Sequence, residues 1–254
     1  MEHRRNLWRS YLMGNNIEHK RHLFYTFIQN KDCTAVPKRI VSTIKKDMPR
    51  TYKDIPIIQE NIPIIERLLT VYSATQTGDS YLQGFNFIMS ILWYVFRNTL
   101  HVEADTWWCF SGVVSRIRPL MPDFNMTWFS WCSRHWRNEF HARFKKSRPL
   151  LESIIQKHSD DFSQLVTVKW FFLWFAQSVP FEQIFVLWDF LIELEPQHLM
   201  MAYTFITLEV LNEGAPEITY NYSENETELV MAILSMRING IEEVVRRVKA
   251  RLKT

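Results

Sequence analysis

The sequence predicts an all-α fold, a single domain of a dozen or more short helices, on three observations. Apolar residues recur at helical spacing along nearly the whole chain, and alternating strand-like runs are almost absent. Only 6 glycines and 10 prolines punctuate 254 residues, too few for the tight turns of a β-sandwich. Hydrophobic residues make up 47% of the chain and aromatics 15%, enough for a substantial buried core.

The elements follow in order. An amphipathic segment over about 7–11 precedes a helix over about 17–28. Pro37 opens the next helix, which should stop near Asp47 because Met48 precedes Pro49. Pro63 suits the first turn of a helix over 64–74. Asp79 or Ser80 is the expected cap of a helix over 84–97, and Asp105 of one over 107–118 that Pro119 ends. A long helix from Asn125 or Thr127 carries the stripe Phe129, Cys132, Trp136, Phe140 and Phe144 with a basic back. Further helices are expected at 149–158, 161–177, 181–194 and 197–212, the last stopped by Gly214. Asn239-Gly240 then splits the remainder in two. The final helix sets Ile241, Val244, Val245, Val248 and Leu252 on one face and Arg246, Arg247, Lys249, Arg251 and Lys253 on the others. No linker, low-complexity tract or internal repeat interrupts the series, so residues 1–235 read as one domain and 236–254 as a basic amphipathic helix packed on it or continuing it.

Composition excludes several function classes. A net charge of +3 without a concentrated patch does not indicate nucleic acid. Cys33, Cys109 and Cys132 are odd in number and lack zinc-site spacing, which fits a reducing compartment. The triplets at Asn125, Asn221 and Asn225 follow a charged N-terminus without a signal-peptide pattern and read as chance matches to a glycan acceptor. Uncharged runs such as 84–96 and 170–181 are shorter than the roughly 20 residues of a membrane span, so the chain reads as soluble. No P-loop, no G-x-S-x-G elbow and no histidine–carboxylate metal spacing occurs.

Two short segments carry the candidate chemistry. The first is Ile44-Lys-Lys-Asp47-Met-Pro-Arg50-Thr51 and the second Tyr81-Leu-Gln83-Gly84-Phe-Asn86. Arginine and glutamine are the side chains that GTP hydrolysis on a small GTPase needs, one neutralising charge on the phosphoryl group and one orienting the attacking water. A chain with no nucleotide site has no use for them on its own account. Asp47, three residues before Arg50, is positioned to hold the guanidinium by a charge-assisted hydrogen bond. Gln83 at a helix start also fits a capping role on free backbone N–H groups, whereas Gly84 beside it lets another backbone approach closely. Tyr81 fits either a contact to a partner or a core ring with its hydroxyl in water, and Asn86 a backbone-satisfying group. Trp188 and Asp189 read as an indole in the core and a carboxylate fixing a neighbouring loop.

These segments resemble the signatures of the TBC family of Rab GTPase-activating proteins. The pattern I-x-x-D-x-x-R-T stands here as Ile44, Asp47, Arg50 and Thr51; Y-x-Q-G-M-N as Tyr81, Gln83, Gly84 and Asn86, with Phe85 for methionine. A Trp188-Asp189 pair after Val179-Pro180, and Arg4, Leu7, Trp8, Leu12 and Gly14 near the start, extend the likeness to about residue 235. A glycine usual after the tryptophan–aspartate pair is missing, and the Trp-rich segment 102–146 matches poorly. The resemblance implies an activator rather than an enzyme with a substrate of its own. It would bind a Rab-type small GTPase in its GTP-bound form and supply Arg50 and Gln83 as fingers in trans. It would need no cofactor or metal, since GTP and Mg²⁺ are the partner's, and no nucleic acid. It would sit in the cytoplasm, peripheral to endomembranes. Membrane contact would be indirect through the GTPase, or weak through the basic C-terminal helix. The alternative is a catalytically silent module that binds a GTPase as effector or scaffold.

Overall fold

The structure is a computed structural model that describes residues 1–30, 36–76, 80–117, 167–221 and 226–253. All regular secondary structure among the described residues is helical, and the fold is all-α. The long helix and stripe expected over 125–144, the helix at 149–158, Cys33, Cys132, Asp79, Asn125 and Asn225 lie outside them. The chain divides into two compact units, Met1–Arg116 and Ile117–Thr254.

In the first unit, helix α1 (Glu2–Trp8) runs into a π-helical turn at Arg9–Met13 and then α2 (Ile17–Asn30). Helix α3 (Lys38–Asp47) is amphipathic, and Ile40, Ile44 and Met48 form its buried stripe at four-residue spacing. After the one-turn helix α4 (Pro56–Gln59) comes α5 (Ile62–Thr75), which packs on α3 and on α6 (Phe85–Phe96). Helix α6 is apolar nearly all round, with Phe85, Ile88, Met89, Ile91, Leu92, Trp93, Val95 and Phe96 buried, and so forms the middle of the unit. Helix α7 (Val102–Ile117) closes the core through Trp107 and Phe110; the Phe110 ring meets Tyr72 of α5 edge-on at 4.8 Å. Burying each such side chain stabilises the unit by roughly 1.5–3 kcal/mol, and Ile44→Ala would cost about 2–5 kcal/mol because α3 would lose its central contact. Gly112 of α7 is where the π-turn touches: a Cβ there would lie 2.3 Å from the Leu12 carbonyl oxygen.

Local expectations about caps fail in instructive ways. Asp105 does not cap α7, which begins at Val102. Its carboxylate is fully buried and takes Arg21 through both oxygens, Nε and Nη2 at 2.8 Å each, together with Arg9 Nε at 2.8 Å. Tertiary ion pairing outbids the local cap, and the triad ties α2 and the π-turn to α7. Burial and the hydrogen bonds to Asp105 act oppositely on Arg21, and the bonds win, raising its pKa. Helix α6 is preceded by Gly84, φ +103°, with no side-chain cap from Ser80. Helix α3, by contrast, does end at Asp47 as the sequence predicts, and a 3₁₀ turn over Met48–Arg50 carries the chain on through Pro49.

In the second unit a π-helical turn (Thr167–Phe171) leads through a tight aromatic segment, where Trp174 and Phe175 both adopt positive φ, to α8 (Phe181–Glu193). The expected helix over 161–177 thus ends, among the described residues, at Phe171. Helix α9 (Pro196–Asn221) runs past Gly214 and Pro216, so the glycine does not stop it. A glycine permits a helix end without requiring one. Helices α10 (Glu226–Ser235) and α11 (Ile241–Arg251) are separated at Gly240. The buried face of α11, Ile241, Val244, Val245 and Val248, packs on α8 and α9, and Gln183 Oε1 of α8 accepts from its first amide at 3.1 Å. Its basic face is largely engaged. Arg246 and Arg247 bond to Glu243, Arg247 reaches Glu213 at 2.6 Å, and Lys249 and Arg251 lie over the rings of Phe190 and Phe205. Those two arginines pull the part-exposed Glu243 carboxylate down to about 2.

Candidate functional site

Both signature segments belong to the first unit, and a chain of hydrogen bonds joins them. The Tyr81 hydroxyl donates to Asp47 Oδ2 at 2.9 Å. Its oxygen also lies 3.2 Å from Asn86 Oδ1, but with one proton to give, the hydroxyl goes to the charged acceptor. The Asn86 amide donates to Thr51 Oγ1 at 2.5 Å, and Thr51 Oγ1 donates to the Asp47 carbonyl at 3.0 Å. Asp47, Thr51 and Asn86 are buried, and Tyr81 is partly so. In that low-dielectric setting each bond is stronger than it would be in water, and each orphaned group would be costly. Burial first, then the Asp47 charge and the bond to it, push the Tyr81 phenol far above its ordinary range, so it remains a donor.

This hydrogen-bonded network flanks two further side chains. Arg50 immediately precedes Thr51, and Gln83 lies between Tyr81 and Asn86. Arg50 and Gln83 are both exposed. Among the described residues neither side chain has a hydrogen bond or ion pair. Asp47 therefore does not hold the Arg50 guanidinium, contrary to the sequence expectation, because its carboxylate is turned inward to Tyr81. Nor does Gln83 cap α6, since that place is taken by the Gly84 backbone.

Further contacts fix each loop. After Arg50 the chain turns sharply at Tyr52, φ +44°, a strained conformation for a residue with a side chain. The strain is offset by the Tyr52 ring meeting Phe87 edge-on at 5.0 Å and by Gln59 Nε2 donating to the Thr51 carbonyl at 2.6 Å. On the other loop, Phe85 N–H closes a turn on the Leu82 carbonyl at 3.0 Å, so that Gln83 stands at its tip. Phe85, which replaces the usual methionine, meets Tyr81 at 6.2 Å and Phe110 at 5.3 Å, both edge-on, and anchors the loop to the core.

Sequence reasoning missed Thr51, Tyr52 and Gln59. Thr51 stands in the motif without an evident task, and nothing local marks Tyr52 as left-handed. In the second unit, Trp188 is fully buried, its indole N–H donating to the Trp174 carbonyl at 3.0 Å, while Asp189 is half-exposed. Among the described residues no cluster of His, Cys, Asp and Glu could hold a metal ion, and no helix is long and apolar enough to cross a membrane. A polar pocket of about 690 Å³ lies elsewhere, lined by Asn6, Arg9, Glu18 and Arg21 among others. Its arginines are committed to Asp105, and it includes neither Arg50 nor Gln83.

Arg50 and Gln83 thus stand exposed, and unpaired among the described residues, on two loops joined through Tyr81–Asp47 and Asn86–Thr51. The chain belongs to the Rab-GTPase-TBC domain family, whose model matches residues 1–216. It is 24% identical to human TBC1 domain family member 17 over 191 residues, 72% of this chain but only 26% of that protein's length. Its fold is similar to the crystal structure of the Ypt/Rab-GAP domain of Gyp1p, with a TM-score of 0.70 at 14% identity over 97% of this chain and 86% of that one.

Proposed function

We propose that this chain is a GTPase-activating module that accelerates GTP hydrolysis by a Rab-type small GTPase. Membership of the Rab-GTPase-TBC family and the fold shared with the Ypt/Rab-GAP domain of Gyp1p support the class. The observation that carries the assignment of residues is the exposed, unpaired state of Arg50 and Gln83 on loops joined through Tyr81–Asp47 and Asn86–Thr51.

The roles follow from the chemistry. Arg50 neutralises charge developing on the γ-phosphoryl oxygens, and Gln83 orients the attacking water. The GTP-bound partner brings nucleotide and Mg²⁺, and this chain contributes no cofactor and no covalent intermediate. A preorganised pair costs little reorganisation in the complex, because both loops are already fixed. An arginine finger supplied in trans is worth about 10³–10⁵ in rate, some 4–7 kcal/mol. The module would work in the cytoplasm at endomembranes, reaching them through its membrane-associated partner, since most of the α11 cations already have partners within the fold. The test is single-turnover GTP hydrolysis by a broad panel of Rab-type GTPases. At least one should be accelerated 10³-fold or more, and acceleration of none would sink the proposal.

A further inference from the structure

An aspartate three residues before an arginine on a helical turn is an ordinary ion pair, within reach and favourable. Asp47 and Arg50 have that spacing on a continuous helical path, α3 followed by a 3₁₀ turn, yet they do not pair. The carboxylate is 8% exposed and its Oδ2 is occupied by the Tyr81 hydroxyl at 2.9 Å, while the guanidinium points out unpaired among the described residues. We infer that Tyr81 is a positioning residue whose hydroxyl keeps Arg50 available, by holding the Asp47 carboxylate inward and away from it. The finger assignment on which this rests is the one proposed above. The competition itself is a property of the free chain.

The energetics favour this reading. A buried carboxylate that loses its donor is left unsatisfied, and the Arg50 guanidinium, three residues on along the same helical path, is a cation at ion-pair spacing. Without the Tyr81 hydroxyl, Asp47 swings toward solvent and captures Arg50, an arginine's preferred partner. The finger would then have to be released before it could reach a phosphoryl group, and the competent fraction of the protein would fall. Tyr81 is held for the task. Its ring lies edge-on against Phe85 at 6.2 Å, and its raised pKa keeps the proton in place.

Tyr81→Phe removes the hydroxyl and keeps the ring. On a responsive GTPase it should lower the maximal rate of activated hydrolysis by about tenfold, with the concentration for half-maximal effect changed less than about threefold. The informative variant is the double mutant Tyr81→Phe/Asp47→Asn. Removing the competing charge should restore the rate to within about threefold of wild type if capture is the cause. If the hydroxyl matters only as a structural tie, the double mutant stays as slow as Tyr81→Phe or slower, and the inference is overturned.

A second measurement needs no GTPase and therefore separates this inference from the assignment of activity. A thermal-unfolding double-mutant cycle pairs Asp47→Asn with Arg50→Ala, first in the wild-type background and then in Tyr81→Phe. Coupling between positions 47 and 50 should be absent in the first. In the second it should appear, as about a threefold or larger change in the folding equilibrium. Coupling already present in wild type, or absent in both backgrounds, contradicts the inference even if the chain is an activator. Should the coupling appear as expected while no GTPase responds, the inference about Tyr81 stands and the activator assignment fails.

Discussion

The first unit uses the same chemistry at two places to opposite ends. At Asp105 a fully buried carboxylate takes two arginines, Arg9 and Arg21, with N–O distances of 2.8 Å, and every charge is spent on holding helices together. At Asp47 a similarly buried carboxylate takes no arginine among the described residues, although Arg50 is three residues away, and is bonded instead by a neutral tyrosine hydroxyl. The first arrangement is an anchor, and its arginines can do nothing else. The second leaves an arginine exposed and, among the described residues, unpaired, so that it adds little to stability and stays available for the role proposed above. The partner taken by each carboxylate decides whether the nearby arginine is committed to the fold or left exposed for the role proposed for Arg50.

Substitutions should divide along the same line. The largest effect on activity is expected from Arg50→Ala, a loss of about 10³-fold or more in activated hydrolysis, with the unfolding midpoint unchanged because Arg50 is exposed and has no partner among the described residues. Arg50→Lys should not restore it, for an ammonium lacks the planar fork. Stopped-flow phosphate release and a thermal melt on the same sample read both quantities. The converse holds at the anchor: Asp105→Ala strands two part-buried cations and should cost about 3–5 kcal/mol in denaturant unfolding. If protein is kept folded well below its melting temperature, per-molecule activity should be near normal. A large activity loss in folded Asp105→Ala would break the comparison.

Gly84→Ala and Asn86→Ala come next, because each sits where the two kinds of role meet. Alanine at φ +103° should cost about 1–2 kcal/mol and, by moving the turn under Gln83, reduce activity in the same variant. Asn86→Ala leaves Thr51 Oγ1 without its donor and should cost about 1–3 kcal/mol by chemical denaturation. The smallest effect concerns pH. Tyr81 has its pKa raised above the unfolded value near 10, so its contribution to stability is full below pH 10 and is lost as pH rises beyond that toward the folded pKa. Melts from pH 7 to 9.5 should therefore show no difference between wild type and Tyr81→Phe that varies with pH.

The all-helical class was legible because the α3, α8 and α11 stripes repeat at helical spacing, and a stripe such as Ile40, Ile44 and Met48 needs only a core to face. Caps were not legible. Asp105 looks like a helix cap from its neighbours and becomes an anchor only because Arg9 and Arg21 arrive from 96 and 84 residues away. The same limit misplaced Asp47: local spacing pairs it with Arg50, and only Tyr81, 34 residues further on, overrides this. Arg50 and Gln83 stood out as residue types with a shared chemical use, whereas Thr51 and Tyr52 act through a buried bond and a backbone angle that no local pattern reveals.

The measurement that bears most directly on the central claim is complex formation between this chain and a GDP-loaded Rab-type GTPase, with and without aluminium fluoride to mimic the transferring phosphoryl group. If Arg50 and Gln83 act on the transition state, binding should be strong only with the mimic and should fall by two or more orders of magnitude in Arg50→Ala. Equal binding with and without the mimic, unaffected by Arg50→Ala, would contradict the account and identify a module that recognises a GTPase without acting on it.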